Sequence, residues 1–277
     1  MNTPRFFIEP IFINESLQTI ACQDAKLVKQ VRKVLRLENG NRVDILDGLG
    51  HIYHCLLLNS LGQARDLFQA RIESKEKLPS FRKTKVTIAL PLIKINRFEW
   101  ALEKLTELGV DTIVPVALQR SVVKLPVNPK NASGKDIDLE YKSKFVRWQK
   151  IIQEAAEQCE RPAPPQLVSP LRFQDWLAHQ QDPAEKSAHT LRIICAERKD
   201  VELLETLLYN QKNCPQYCAI ALGAEGGFTE EEIKLALSHQ FIPASLGPLI
   251  LRTETAAIYT LAITNALLRF IQTDQSS

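Results

Sequence analysis

From residue 85 onward, short runs of β-branched and aliphatic residues alternate with amphipathic stretches of helical period, and this alternation is the strongest constraint on the fold. Strand–helix repeats cover both faces of a sheet, so they build parallel sheets with crossover helices. Residues 85–92 read as the first strand. In the helix that follows, Asn96 is expected to cap, with Glu99 three residues on. Phe98, Ala101, Leu102, Leu105 and Leu108 form its apolar face, and Gly109 ends it. Residues 112–116 form the next strand. Phe145, Trp148, Ile152, Ala155 and Ala156 mark a long helix stopped by Arg161 and Pro162. Strands at 191–196 and 217–222 interleave with helices near 200–210, 229–239 and 254–271. The expected class is α/β.

Before residue 78 the pattern is different. An entry strand at 5–8 precedes a helix capped by Asp24, with Leu27, Val31, Val34 and Leu35 on one face and Lys26, Lys29 and Lys33 opposite. Two β-rich runs at 43–47 and 51–58 flank Gly48, Leu49 and Gly50, a hairpin with glycines available for positive φ. A further strand is expected at 64–72 and a linker at 74–85. The reading is a small β-barrel-like domain ahead of the α/β domain.

Composition excludes more than it identifies. The 277 residues carry a formal charge of +3, too little for charge alone to name a polyanionic partner. Cys22, Cys55, Cys159, Cys195, Cys214 and Cys218 form no CxxC pair beside histidines, so no metal site is expected and the thiols read as reduced. The most apolar segment, 255–268, is short for a bilayer and contains Thr260, Thr264 and Asn265, which suits a packed core helix. With no secretory signal pattern at the N-terminus, a cytoplasmic protein with no membrane partner is expected.

Two strand-to-helix turns carry the candidate chemistry, at the position where open α/β sheets bind ligands. One is Leu222-Gly223-Ala224-Glu225-Gly226-Gly227-Phe228-Thr229, with Thr229 and Glu232 set to form a capping box. The other runs from Ser245 to Ala256 and crowds Arg252, Thr253, Glu254 and Thr255 into one helix entrance. Neither is a G-x-G-x-x-G or a Walker loop, which disfavours dinucleotide and triphosphate sites. Taken singly, each is also compatible with an ordinary tight turn.

With these turns stand Pro4-Arg5-Phe6-Phe7, Val34-Leu35-Arg36-Leu37, Glu99-Trp100-Ala101-Leu102-Glu103-Lys104-Leu105-Thr106-Glu107-Leu108-Gly109-Val110, and Glu154-Ala155-Ala156-Glu157-Gln158-Cys159-Glu160-Arg161. In order, spacing and identity over roughly 250 residues the chain resembles the SPOUT superfamily of methyltransferases, and within it the family that methylates N3 of a uridine in 16S ribosomal RNA. The resemblance implies an RNA-binding PUA-like β-barrel at 1–78 and a SPOUT domain with a trefoil knot at 82–277. It also implies a homodimer that acts on 16S rRNA or the small ribosomal subunit. S-adenosyl-L-methionine would be held by Leu222, Gly223, Glu225, Gly226, Gly227, Leu246, Gly247, Ile250, Leu251 and Ala256. The family's usual proline is Ala224 here, and its usual basic residue near Leu249 is absent.

Methylation at uridine N3 requires a proton to leave while negative charge spreads onto the flanking carbonyls. Arg252 is the candidate to stabilise that charge. Glu254 or Glu225 is the candidate to accept the proton, although either also suits a helix N-terminus. For RNA, Arg5 joins the cluster Lys26, Lys29, Arg32, Lys33 and Arg36, and Arg42 extends it against one acid, Glu38. A second basic stretch contains Lys124, Lys130, Lys135, Lys142, Lys144 and Arg147. His51, His54, Trp100, Trp148 and Trp176 read as packing or surface residues. A non-catalytic RNA-binding ribosome-assembly protein, or a SPOUT enzyme for another RNA site, would carry much of the same pattern.

Overall fold

The computed structural model describes residues 3–58, 67–78, 83–123, 139–180, 189–196 and 201–274. The chain divides into two compact units, 1–80 with 156–164, and 81–155 with 165–277.

The first unit is a six-stranded sheet with one short helix. Its strands are β1 (Arg5–Phe7), β2 (Ile13–Asn14), β3 (Thr19–Gln23), β4 (Arg42–Leu46), β5 (His51–Leu57) and β6 (Leu67–Lys77), in the order β1-β4-β5-β6-β3-β2. β1 and β2 are its edges, so the sheet is open: barrel closure would require these two short strands to pair, and no such pairing occurs among the described residues. The expected hairpin forms between β4 and β5. Gly48 and Gly50 take positive φ, and the buried Asp47 carboxylate accepts from the Leu49 and His51 amides and from His51 Nδ1 at 2.7 to 3.0 Å. His54 Nδ1 lies 2.8 Å from Asp44. β6 continues through Lys77, so the expected linker begins as strand; residues 64–66 and 79–82 lie outside the described residues.

Helix α1 (Ala25–Lys29) starts where Asp24 accepts from the Lys26 and Leu27 amides. It does not continue as expected. Residues Gln30–Val34 form a π-turn, closed by the Leu35 amide on the Gln30 carbonyl at 2.9 Å. The extra residue in that turn breaks the face on which Leu27, Val31, Val34 and Leu35 were expected together. Leu27, Val28 and Val31 stay buried, whereas Val34 and Leu35 turn out to solvent, 68% and 41% exposed.

The second unit is a parallel sheet of β7 (Lys85–Pro91), β8 (Thr112–Ala117), β9 (Gln166–Leu167), β10 (Leu171–Arg172), β11 (Thr190–Cys195), β12 (Tyr217–Leu222) and β13 (Ile242–Ala244). The order is β10-β8-β7-β12-β11-β13, with β9 also on β8. Its helices are α2 (Ile95–Glu107), α3 (Leu139–Gln158), α4 (Phe173–His179), α5 (Leu204–Tyr209), α6 (Glu230–Ser238) and α7 (Thr253–Asp274). The period of two sorts the strands by size. Val86, Ile88, Leu90, Ile220 and Leu222 face the core shared with α2, α5 and α7. Ala89, Ala219 and Ala221 face the aromatics Phe173, Trp176 and Phe228. No helix among the described residues is long and apolar enough to cross a membrane.

Two local expectations fail here. α2 starts at Ile95 with Lys94 as N-cap and no side-chain cap bond, so Asn96 lies inside the first turn. Glu99, left without a box to close, accepts from Arg147 of α3 at 2.7 Å. Trp148 and Trp176 are core residues, but Trp100 is 45% exposed because it falls opposite the Phe98, Ala101 and Leu105 face. The short β9, β10 and β13 and the helix α4 had no clear period-based signal.

Candidate active site

All strands of the second unit's sheet run parallel, so the loops after their C-terminal ends gather at one edge. There a cleft of about 200 Å³ opens among the turns after β11, β12 and β13. Leu222, Gly223, Ala224, Gly226, Gly227 and Phe228 form one wall, and Ser245, Leu246, Gly247, Leu249 and Leu251 another. Cys195, Ala196, Ile233, Thr253, Ala256 and Arg120 complete it. Of the residues expected around a cofactor, Leu222, Gly223, Gly226, Gly227, Leu246, Gly247, Leu251 and Ala256 therefore meet at one cleft. Glu225 and Ile250 do not line it, and Ile250 is strongly exposed.

The two turns are tied directly. Thr253 Oγ1, on the first turn of α7, donates to the Gly223 carbonyl at 3.0 Å. Each turn is also shaped from within. The Gly227 amide bonds the Ala224 carbonyl at 2.8 Å, and the Gly247 amide bonds Ser245 Oγ at 3.2 Å. Gly227 and Gly247 take φ of 68° and 104°, which L side chains rarely adopt. Gly226 has a different reason to be glycine: a Cβ there would lie 3.0 Å from Arg120 Cβ. The capping box at α6 forms as expected, with Thr229 and Glu232 each bonding the other's amide. Glu232 does more, because its Oε1 accepts from the Gln119 amide at 2.8 Å and so anchors the loop after β8. From that loop Arg120 donates to the Gly226 and Phe228 carbonyls at 3.1 and 3.3 Å.

The candidate catalytic residues sit beside the cleft rather than on its wall. Arg252 is exposed and has no ion pair among the described residues. Glu225 and Glu254 converge on a residue that sequence reasoning missed, Arg97 of α2. Its Nη1 lies 2.7 Å from Glu225 Oε1 and its Nε lies 3.6 Å from Glu254 Oε1. Glu254 is buried in the first turn of α7, favourable for a carboxylate, and its Oε2 has no hydrogen-bond partner. Arg97 thus joins the glycine turn to the entrance of α7. Cys195, the thiol at the cleft, is pushed up to about 12 by burial and stays a neutral S–H.

Lys26, Lys29, Arg32, Lys33 and Arg36 are exposed together around α1 and its π-turn. Arg5 is engaged elsewhere in the same unit, its guanidinium 3.4 Å from Asp44 and 2.7 Å from Glu160. Of the second basic stretch, Lys124, Lys130 and Lys135 lie outside the described residues, and Arg147 pairs with Glu99. Arg120 was detectable in principle, since it follows the C-terminal end of a strand. Arg97, on the first turn of α2 after β7, stood in the same kind of position.

The family of the RNA methyltransferase domain matches residues 80–265, the region that builds the sheet and the cleft. The chain belongs to this family. It is similar to the ribosomal RNA small subunit methyltransferase E of Synechocystis, 33% identical over 264 residues that cover 95% of this chain and 78% of the relative. A relative of the same name from Bacillus subtilis is 32% identical over 69% of each chain. Among solved structures, a Legionella pneumophila methyltransferase with bound cofactor SAM superposes with a TM-score of 0.76, at 28% identity over 96% of this chain and 98% of the other. The SAM-bound ribosomal RNA small subunit methyltransferase E of Neisseria gonorrhoeae shares the fold, with a TM-score of 0.76 at 24% identity, over 96% and 98%.

Proposed function

We propose that this chain is an S-adenosylmethionine-dependent methyltransferase that modifies N3 of a uridine in 16S ribosomal RNA. The observation that carries the proposal is the meeting of the 223–228 and 245–251 turns at one cleft, in a chain of this family. The residues present fit the cofactor: glycines leave main-chain groups open, and Leu222, Leu246 and Leu251 offer apolar surface. When bound, S-adenosylmethionine supplies a methyl group on a cationic sulfonium.

The protein's own work is positioning and charge. The cleft walls exclude water and orient donor and acceptor. Arg252, exposed beside Leu251 and Thr253, is proposed to stabilise the negative charge on the uridine carbonyls. Glu225 and Glu254 are the proposed sites for the N3 proton, and their shared anchor Arg97 suits a positioning role equally well. The exposed cations around α1 are proposed to hold RNA phosphates. We further propose that the open N-terminal sheet is a PUA-like module at 1–78 and that a knotted SPOUT domain occupies 82–277. The family match and the likeness to a methyltransferase with bound SAM support the SPOUT reading. A cytoplasmic homodimer acting on 16S rRNA or the small subunit completes the reading.

The test pairs calorimetry with mass spectrometry. S-adenosylmethionine is expected to bind saturably, and 16S rRNA from cells lacking the protein is expected to lose one N3-methyluridine, restored by the wild-type chain. Unchanged rRNA would refute the target; no cofactor binding would refute the enzyme.

A further inference from the structure

The π-turn after α1 takes two adjacent aliphatic side chains out of a core they were patterned to join, and among the exposed apolar residues of the described first unit, which include Ile11 and Phe12, these two alone stand within a run of cations in the sequence. Val34 and Leu35 become exposed, and Leu37 fills in behind as a partly buried neighbour of the core. The chain then leaves the turn through Arg36 at a φ of 52°, a left-handed conformation disfavoured for a side-chain-bearing residue. Irregular turns and left-handed residues are enriched at functional sites, and here they hold the exposed pair among cations. The charge around it indicates the partner. Lys29, Arg32, Lys33 and Arg36 are all exposed, and none has an ion pair among the described residues. Glu38 is the single acid between residues 26 and 42.

We infer that Val34 and Leu35 form a contact patch for the face of an unpaired base in the RNA substrate, with the surrounding cations on its flanking phosphates. This inference rests on the RNA-modifying function proposed above. Unpaired RNA offers flat apolar base faces within a few ångströms of phosphate, whereas a duplex hides those faces in its stack. Two aliphatic side chains on a single turn are also too little apolar surface to anchor a helix in a bilayer, which relies on an extended amphipathic face.

Fluorescence anisotropy with two probes tests this, a hairpin from 16S rRNA with an unpaired loop and a fully paired RNA of equal length, each over a range of KCl concentrations. Replacing Val34→Ser and Leu35→Ser together is expected to weaken hairpin binding about 10-fold at every salt concentration, through lost apolar burial, and leave duplex binding unchanged. The slope of log affinity against log salt should not move. Lys29→Ala with Lys33→Ala should instead weaken both probes and lower that slope by about 1.4 where the cations meet unpaired strand and about 1.8 on the fully paired probe. The single Leu35→Ala variant, a small change at an exposed position, should reproduce part of the hairpin loss with an unchanged melting temperature. Equal weakening on both probes, or none, overturns the inference. A change in subunit number by light scattering also overturns it and assigns the patch to a second copy of this chain. Loss of binding to phosphatidylglycerol vesicles with RNA binding intact assigns it to a membrane. Failure of the wild type to bind S-adenosylmethionine would defeat the proposed enzyme, while the base contact would still be decided by the two RNA probes.

Discussion

The cleft of the second unit and the basic turn of the first are built on opposite principles. At the cleft, the proposed recognition is carried by backbone: glycines at 223, 226, 227 and 247, held by Thr253, Arg120 and Glu232 through bonds to main-chain groups. Around α1 the backbone contributes little, and long cationic side chains stand in solvent without ion-pair partners among the described residues. A small ligand rewards a rigid cradle, because each ångström of error costs contact with a fixed set of atoms. A polyanion rewards charge that acts over a Debye length and tolerates loose geometry. The difference suggests that damage to one region should be nearly silent in the other.

The largest effect is expected from Gly226→Val. A branched side chain would collide with Arg120, so the turn must shift, and a cradle displaced by about 1 Å is expected to lower cofactor affinity by about 100-fold. RNA affinity should stay within twofold; calorimetry and anisotropy on the same preparation check both. Charge reversal of Lys29→Glu with Lys33→Glu is the converse. It should weaken RNA binding about 10- to 50-fold at low salt, with convergence toward wild type as salt rises, and leave the calorimetric titration unchanged. If cofactor affinity fell as well, the separation between the two regions would be lost.

Arg97→Ala sharpens the comparison, because it tests the charged link between Glu225 and Glu254 at the cleft's side. Its ion pairs are about a third exposed on the arginine side, so the expected loss is small, about 3- to 5-fold in cofactor affinity. Arg97→Lys should recover only part, since a point charge cannot span two carboxylates as a guanidinium fork does. Should the variant lower kcat by more than 100-fold at unchanged KM, the network would belong to the chemistry rather than to positioning.

The α/β class, the strand at 217–222, the hairpin around Gly48 and the capping box of Thr229 and Glu232 were legible because each depends on residues within a few positions of one another. Both glycine turns were visible for the same reason. Asn96 misled because capping is decided by where the chain leaves β7: Leu92 still bonds Val116, and the helix is under way by Ile95. The face of α1 misled because a single added residue in one turn is invisible to a fixed period.

What the amino-acid order determined by itself was local: periods, caps and positions that only glycine tolerates. That Gly223 meets Thr253, that Glu232 reaches the loop of Gln119, and that Arg97 stands between Glu225 and Glu254 was decided by the strand order β8-β7-β12-β11-β13. Strand order is a global choice among pairings whose local patterns are nearly alike, so its energy comes from the assembled sheet and its two cores rather than from any single segment.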